Sequence, residues 1–492
     1  MNTHSLLTLL ALASSALCSP IRVAAAPIVP HGVPDEFASL AYTVTVNGTP
    51  VKVFHAGLNV HFASFDFTGT AEIKVTVTPP RTTPSPAAHY SGQYRHRYVP
   101  SPPVDFWQSQ AIVRPLSRQV AATTQGPEAR FTLTAPGQYS VERPGTSHYL
   151  DQVLLLFANR PAPAPSPERG RPDVIHLESG IHQRNLDLLS GQTLYLAPGA
   201  VLFGAINVWN ARDVKILGRG VVVYDGQQSE LRDTGLHHRR NWHPLTTCNV
   251  DGLTVEGITF VGRSRTWSLQ LHSTVNSSFD NVKVLAVPAA NVNGDGFDWY
   301  GGGKTRISNS FVRAADDLFA FFVPPELQDS TGTGLPAAEV KDILIENCVL
   351  WSTLANVYRI GFGAQRLRTE NIRMRQCDVI HIAQGEWHAP WSIVHTMTTG
   401  VHGKSEHCGY LFEDVRFEEA TAFIGVQNEQ ATFRDVVFRR VSMQGTPVPS
   451  LVRGPFQGLT FDGVTLNGRP IRSPADLPLR EDSRPVEAPI SK

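Results

Sequence analysis

The sequence contains little cysteine, and its cysteines lie far apart. Only five occur among 492 residues, and no two of them form a Cys-x-x-Cys pair. Because zinc sites built on thiolates usually use such pairs, this spacing argues against a zinc-binding domain. Cys18 lies beside the N-terminal apolar segment. The other cysteines either form one or two disulfides or stay reduced and buried, and these are Cys248, Cys348, Cys377 and Cys408.

The sequence also lacks net charge and long apolar runs. Its 43 basic residues balance 43 acidic residues, so there is no overall field to attract nucleic acid or an anionic membrane. The apolar run at Leu6–Leu17 is too short to span a bilayer and is typical of a secretory signal, cleaved after Cys18 or within Val23–Ala26. We therefore expect a soluble monomer outside the cell, or in the periplasm of a bacterium, with neither nucleic acid nor a membrane as partner.

Long amphipathic helical patterns are missing as well, whereas turn residues are frequent. The 39 Gly and 36 Pro are typical of a turn-rich, all-β protein. A chain of this length also exceeds the roughly 250–300 residues that one core usually holds, which predicts two folded domains. The predicted segments are a signal peptide at 1–26, an N-terminal β-sandwich domain of short alternating strands at 27–159, a Pro-rich linker at 160–172, a second β domain at 173–473 and a disordered tail at 474–492.

A short motif recurs every two to three dozen residues in the second domain. It runs apolar, polar, Asn or Asp or Gly, Val or Ile, polar, apolar, and copies begin at Phe279, Phe412 and Phe461, while a further copy from Phe433 has Val437 at the fifth position. The third residue lets the chain bend between two short strands, and stacked coils bury one continuous apolar column. The repeat predicts a solenoid of parallel strands. A β-propeller would need longer, four-stranded repeats, and an antiparallel sandwich would not repeat one motif so often.

Carboxylates concentrate in two adjacent repeats. The segment Asn293-Gly-Asp-Gly-Phe-Asp298 is followed about two dozen residues later by Asp316-Asp317. If one coil takes that many residues, Asp295 and the pair lie side by side on adjacent coils. Because neighbouring negative charges repel, at least one of these carboxyls should have a raised pKa and keep its proton. The cluster would then contain both an acid and a base, as glycoside hydrolysis requires. The alternative is that the motifs form turns or hold a calcium ion.

These motifs, together with Trp267-Ser-Leu-Gln-Leu-His272, resemble glycoside hydrolase family 28, the polygalacturonases, and the related family 49 of dextranases and isopullulanase. The resemblance covers roughly Val174 to Thr465. It implies a right-handed parallel β-helix of the pectin-lyase type and inverting hydrolysis of α-linked bonds. It also implies that Asp316 is the general acid, that Asp295 and Asp317 position and activate a water, and that no cofactor or metal is needed.

The sequence departs from family 28 in ways that bear on the substrate. Asn356 stands where that family carries a histidine, and the Arg-Ile-Lys element that binds the uronate carboxylate has no counterpart. The N-terminal β-sandwich and the text Asp378-Val-Ile-His381 are similar to family 49. We therefore expect a polysaccharide substrate of the neutral α-glucan type, such as dextran or pullulan, with a pectin-like glycan as the alternative.

Six further residues are predicted to bind substrate because they flank the aspartates or follow coil turns. They are Arg359, Tyr358, Asn356, His381, Asp298 and Trp299. Ordinary packing is the competing interpretation for the aromatic rings, including Tyr300, Trp387 and Trp391, and Arg359 could instead pair with a carboxylate. Two other functions remain open, a polysaccharide lyase with Arg313 or Arg359 as base, and a non-catalytic glycan-binding adhesin.

Overall fold

The computed structural model describes residues 28–78, 106–108, 110–146, 152–162, 166–226, 240–264, 266–287, 293–323, 338–361, 367–382, 392–396 and 405–483. The predicted signal peptide at 1–26 lies outside these ranges, as do Trp387 and Trp391. No helix among the described residues has the length and apolar character needed to cross a membrane.

The N-terminal domain consists of short strands joined by turns, with 3-10 turns at Asp35–Phe37 and Leu116–Arg118. Its strands are β1 (Val29–Pro30), β2 (Tyr42–Val46), β3 (Thr49–Val51), β4 (Val53–Gly57), β5 (Val60–Asp66), β6 (Ala71–Val77), β7 (Ile112–Arg114), β8 (Ala122–Gln125), β9 (Glu128–Leu133), β10 (Gly137–Glu142) and β11 (Val153–Asn159).

These strands form two sheets that face each other across one core. One sheet contains β1, β4, β5, β7, β10 and β11, and the other contains β2, β3, β6, β8 and β9. In β6 buried residues alternate with more exposed ones, the pattern of a strand with one face in a core. Val44 and Ile73 from one sheet share a buried cluster with Phe65 and Leu156 from the other. This is the packing expected of a β-sandwich.

The second domain is a stack of coils built from parallel strands. Its strands are β12 (Val174–Leu177), β13 (Gly180–Gln183), β14 (Leu186–Leu188), β15 (Thr193–Leu196), β16 (Ala200–Phe203), β17 (Ile206–Gly218), β18 (Val221–Tyr224), β19 (Leu245–Glu256), β20 (Thr259–Gly262), β21 (Leu269–Asp280), β22 (Lys283–Ala286), β23 (Phe297–Ser308), β24 (Phe311–Ala314), β25 (Phe319–Phe322), β26 (Ala338–Glu346), β27 (Val349–Ser352), β28 (Tyr358–Ile360), β29 (Leu367–Arg375), β30 (Asp378–Ile382), β31 (Ser392–Thr396), β32 (Ser405–Glu413), β33 (Arg416–Phe417), β34 (Ala422–Val426), β35 (Ala431–Arg439), β36 (Ser442–Met443), β37 (Leu451–Val452), β38 (Phe456–Asp462), β39 (Val464–Leu466) and β40 (Arg469–Ile471).

Within the described residues, these strands form a 17-stranded sheet and a 12-stranded sheet that run along the stack. Each coil pairs in parallel with the next, as β19 does with β21 and β21 with β23. Crossovers between parallel strands of one sheet are almost always right-handed, which gives a right-handed parallel β-helix. One apolar cluster fills its interior from Leu177 to Leu477. The predicted solenoid is therefore confirmed.

The bends between strands occur at the third position of the repeated motif, which is Asn, Asp or Gly. Asn281, Asn309 and Asn347 have φ angles of 53°, 52° and 51°, in the left-handed region that asparagine tolerates better than most residues. Their side chains also link successive coils, since Asn347 Nδ2 donates to Asn309 Oδ1 at 2.6 Å. The role predicted for this motif position is confirmed.

The cysteines of the second domain are free thiols, of which Cys348 and Cys377 are buried and Cys248 and Cys408 are partly exposed. The tail prediction needs a correction. Residues 474–483 are ordered, because Pro474–Asp476 forms a 3-10 turn and the buried Leu477 closes the apolar interior of the β-helix. Only residues 484–492 of the predicted tail lie outside the described part of the chain.

The N-terminal domain packs against the 12-stranded sheet. Phe62 and Phe157 of the N-terminal domain share a buried cluster with Phe311, Val349 and Trp351 of the β-helix. From its place in the sequence, we expect this domain to pack against the β-helix and to shape one wall of a substrate groove. The packing is observed, and its apolar contacts lie on the 12-stranded sheet, whereas Asp298 lies on the 17-stranded sheet. The apolar face of the N-terminal domain therefore covers part of the 12-stranded sheet.

Candidate active site

The predicted aspartates lie side by side on adjacent coils. Asp295 leads into β23 and Asp317 leads into β25, and these strands pair in parallel with Phe297 opposite Phe319. The backbone N–H of Gly296 donates to Asp317 O at 2.9 Å. Since paired strands lie about 4.8 Å apart, the backbones of Asp295 and Asp317 are stacked neighbours. The coil spacing in the sequence predicts this placement.

Glycine is required between the two acidic positions of the first motif. A Cβ atom on Gly296 would lie 2.5 Å from Leu318 O and 2.7 Å from Val312 Cγ1. Both distances are too short for a side chain, so any other residue would push the two coils apart. The motif residue therefore sets the distance between Asp295 and the coil that carries Asp317.

Alternation along β23 places Asp298 on the outer face of the 17-stranded sheet. Phe297 and Trp299 point into the apolar interior, so Asp298 and Tyr300 point outward. The strand register continues this outer row from coil to coil. It runs Gln270, Asp298, Ala320, Arg359 and His395.

The carboxyls of this cluster hold their protons more tightly than isolated carboxyls. Burial, followed by the charges of Asp298, Asp316 and Asp317, raises the pKa of Asp295 well above its usual range. Burial also raises the pKa of Asp298 well above its usual range. Burial and the charge of Asp317 raise the pKa of the partly exposed Asp316 to about 8, although Arg359 opposes this. At neutral pH the cluster therefore retains protons that it can donate.

Asp317 differs because hydrogen-bond donors contact both of its oxygens. Its Oδ1 accepts from the backbone N–H of Asn356 at 2.9 Å and from Asn356 Nδ2 at 2.7 Å. Its Oδ2 lies 3.5 Å from Arg359 Nη1. The site thus places Asp316, whose pKa is raised, next to a carboxyl whose two oxygens both face hydrogen-bond donors.

Three of the predicted substrate-binding residues lie elsewhere, and those predictions are wrong. Trp299 and Tyr358 point inward and pack in the apolar interior of the β-helix, because each is the inward neighbour of an outward polar residue, Asp298 or Arg359. His381 lies at the domain interface. Its ring contacts Glu142 at 2.9 Å and Glu419 at 2.7 Å, so it pairs with carboxylates and not with a sugar.

Aromatic residues do line the outer face, but at positions that the sequence prediction largely missed. Trp267, Tyr300 and Phe322 form a cluster in which the Tyr300 and Phe322 rings stack at 5.1 Å and the Trp267 and Phe322 rings at 5.3 Å. Tyr300 lies on the same face of β23 as Asp298, and burial, followed by the charges of Asp298 and Asp295, raises its pKa. Because residues two apart on a strand point to the same face, an outward Asp298 predicts that Tyr300 also points outward.

We expect the substitution Asp295→Asn to stabilise the protein at neutral and alkaline pH. The pKa of this carboxyl is raised on folding, so its ionisation costs stability as the pH rises above about 4. The free energy of unfolding of the variant should exceed that of the wild type by about 1–2 kcal/mol at pH 8, and this difference should vanish near pH 4. Urea unfolding at both pH values measures this. Asp213→Asn, at an exposed turn, is the control, and an equal gain there would contradict the explanation.

Comparison with known proteins gives one sequence match and several structural ones. No protein-family profile matches the chain. Dex49A from Penicillium minioluteum superposes with a TM-score of 0.60 and 14% identity over 91% of each chain. This chain has the fold of Dex49A. A family 28 exopolygalacturonase from Yersinia enterocolitica gives a TM-score of 0.44 and 12% identity, over 94% of this chain and 97% of that one.

The sequence match is a probable exopolygalacturonase B from Aspergillus terreus. It is 29% identical over 153 residues, which are 29% of this chain and 31% of that protein. The matched region thus spans less than a third of that relative. These similar proteins include glycoside hydrolases of families 28 and 49, the two families that the aspartate motifs resemble.

Proposed function

We propose that this chain is a secreted, inverting glycoside hydrolase that cleaves α-linked bonds of a polysaccharide. Asp316 donates a proton to the departing glycosidic oxygen, and Asp317 takes a proton from the attacking water. Asp295, on the neighbouring coil, holds that water together with Asp317. Export through the Leu6–Leu17 segment belongs to this proposal, because a polysaccharide too large to enter a cell must be attacked outside it.

The observation that carries the proposal is the contrast between two consecutive carboxyls. Burial and the charge of Asp317 raise the pKa of Asp316 to about 8, so that it bears a proton at neutral pH. Both oxygens of Asp317 are contacted by the donors of Asn356 and Arg359. Glycoside hydrolysis with inversion needs such a pair, one carboxylic acid for the leaving oxygen and one carboxylate for the water.

The charges around the cluster favour a neutral sugar over a uronate. In the described outer row from Gln270 to His395, the permanent cation is Arg359, and its guanidinium contacts Asp317. A uronate placed there would find this cation already paired with Asp317. Trp267, the partly exposed ring of the neighbouring aromatic cluster, instead offers apolar surface of the kind that sugar rings pack against. These features support a neutral α-glucan such as dextran or pullulan.

A polysaccharide lyase would need a basic residue close to the sugar. Arg313 does not meet this requirement, because its guanidinium lies 4.8 Å from the Trp351 ring, on the 12-stranded sheet that faces the N-terminal domain. Arg359 is near the carboxylates, but it contacts Asp317 and the two charges offset each other. Hydrolysis therefore fits the described residues better than elimination.

The proposal is tested by incubating the purified protein with dextran, pullulan, polygalacturonate and xylan. We expect new reducing ends from one of the α-glucans, with no ultraviolet absorption from an unsaturated product and no effect of EDTA. Unsaturated products from polygalacturonate, lost on adding EDTA, would replace the proposal with a lyase. Glycan binding without turnover of any polymer would replace it with a binding module.

A further inference from the structure

Asn356 occupies the position next to Asp317 on the following coil. The backbone N–H of Leu318 donates to Asn356 O at 3.0 Å, which fixes this register. The asparagine is fully buried. Its side chain contacts residues of the coil before it and of the coil after it. The predicted contact of Asn356 with substrate is therefore replaced by a contact with the carboxylate beside it.

The amide of Asn356 has different partners at its two ends. Its Nδ2 donates to Asp317 Oδ1 at 2.7 Å, while its Oδ1 accepts from the backbone N–H of Ser392 at 2.9 Å. Because the N–H of Ser392 can only donate, the amide oxygen must face it, and the amide nitrogen must face Asp317. Three successive coils are thus linked through one side chain, and the orientation of Asp317 is fixed by the backbone of β31.

This position requires a donor at one end and an acceptor at the other. Aspartate has no donor when ionised, and leucine has neither group. A neutral histidine could satisfy both ends, but it would gain a second proton as the pH falls and lose its acceptor. Asparagine does not titrate, so its contact with Asp317 persists over the whole pH range in which carboxylates function.

We propose that Asn356 is a positioning residue that holds Asp317 in the orientation needed to activate water. This inference rests on the proposed hydrolase function. Arg359 completes the arrangement on the other oxygen of Asp317. The residue at the family 28 histidine position then acts on the carboxylate and not on the sugar.

The test compares Asn356→Asp and Asn356→Ala with the wild type on the polymer that it cleaves. Asn356→Asp should lower kcat by about 100-fold and leave KM within about twofold, because it replaces the side-chain donor with a negative charge. The acidic limb of its pH–rate profile should move to higher pH, since the pKa of Asp317 rises beside a second carboxylate. Asn356→Ala keeps the backbone donor and should lose about tenfold.

Asn347→Asp is the matched control, because it makes the same change at an exposed turn. It should leave kcat, KM and the pH profile unchanged. A rise in KM at constant kcat in the Asn356 variants would show instead that Asn356 binds substrate. An unshifted pH profile would also overturn the inference.

A titration separates this inference from the proposed function. In protein labelled with 13C at aspartate carboxyls, the Asp317 signal is assigned by its loss in Asp317→Asn. In Asn356→Asp it should titrate at higher pH than in the wild type, whether or not any polymer is cleaved. An unchanged midpoint would refute the positioning role, whereas a shifted midpoint in a protein without turnover would refute only the hydrolase.

Discussion

Replacing Asp316 with Asn should abolish cleavage of the natural polymer while leaving the fold intact. The change keeps the shape of the side chain but removes the proton that the departing oxygen needs. General acid catalysis contributes about 10²- to 10⁴-fold, so kcat should fall by about 10³-fold. In the wild type, activity should decline as the pH rises through about 8, where Asp316 loses its proton.

A substrate with a good leaving group isolates the role of Asp316. The dinitrophenolate of a dinitrophenyl α-glycoside departs without protonation, so Asp316→Asn should lose only about tenfold on this substrate. Asp317→Asn should be impaired on both substrates, because both need the activated water. Equal losses of Asp316→Asn on the polymer and on the aryl glycoside would contradict its assignment as the acid.

Replacing His381 with Leu should produce the largest loss of stability. The ring is fully buried between Glu142 and Glu419, and Arg114 contacts Glu142 and Glu418 in the same network. Removing one partner of a buried ion pair typically costs about 3–5 kcal/mol, because it leaves charge without compensation. We expect a loss of about 3 kcal/mol at pH 6, measured by urea unfolding.

The pH dependence of this loss identifies its cause. Glu142 and Glu419 raise the pKa of His381 to about 9 against the effect of burial. The ion pairs therefore stabilise the fold fully below pH 6.5, and this contribution is lost as the pH rises to about 9. The cost of His381→Leu should accordingly shrink between pH 6 and pH 9.5.

His407 provides the matched control for that measurement. It is also buried, but its ring contacts the hydroxyls of Thr369 and Ser405, and burial lowers its pKa to about 3. His407→Leu should cost the same at pH 6 and at pH 9.5. If the cost of His381→Leu were equally constant, lost packing against Trp351 would be its cause, and not the lost charge.

The β-helix could be predicted from sequence because each coil repeats the same short pattern of residues. An apolar residue enters the interior, and a residue such as Asn281 or Asn309 bends the chain with a positive φ angle. The stacking of Asp295 on Asp317 followed from the same period. Local patterns sufficed where the structure is itself periodic.

The errors at Trp299 and Tyr358 have a different origin. Both residues are large, aromatic and next to an acidic or basic neighbour, which suggests a binding surface. Side chains alternate along a strand, so the outward Asp298 and Arg359 require their neighbours to point inward. The period-two signal was present in the sequence, and applying it would have corrected both predictions.

No local signal could have identified the partner of His381. Glu142 lies 239 residues earlier, in the other domain. Its contact depends on how the two domains pack, which neither spacing nor composition encodes. The orientation of Asn356 against Asp317 is similar, since Ser392 contributes a backbone N–H that any residue except proline would supply.

The most direct test of the central claim is the anomer that is released first. During hydrolysis of the α-glucan that the protein cleaves, 1H NMR of the earliest products distinguishes the two anomeric protons. The account predicts that the β-anomer appears first and that the α-anomer follows only through mutarotation. Initial release of the α-anomer would mean that a carboxylate attacks the sugar itself, and would contradict the roles assigned to Asp316 and Asp317.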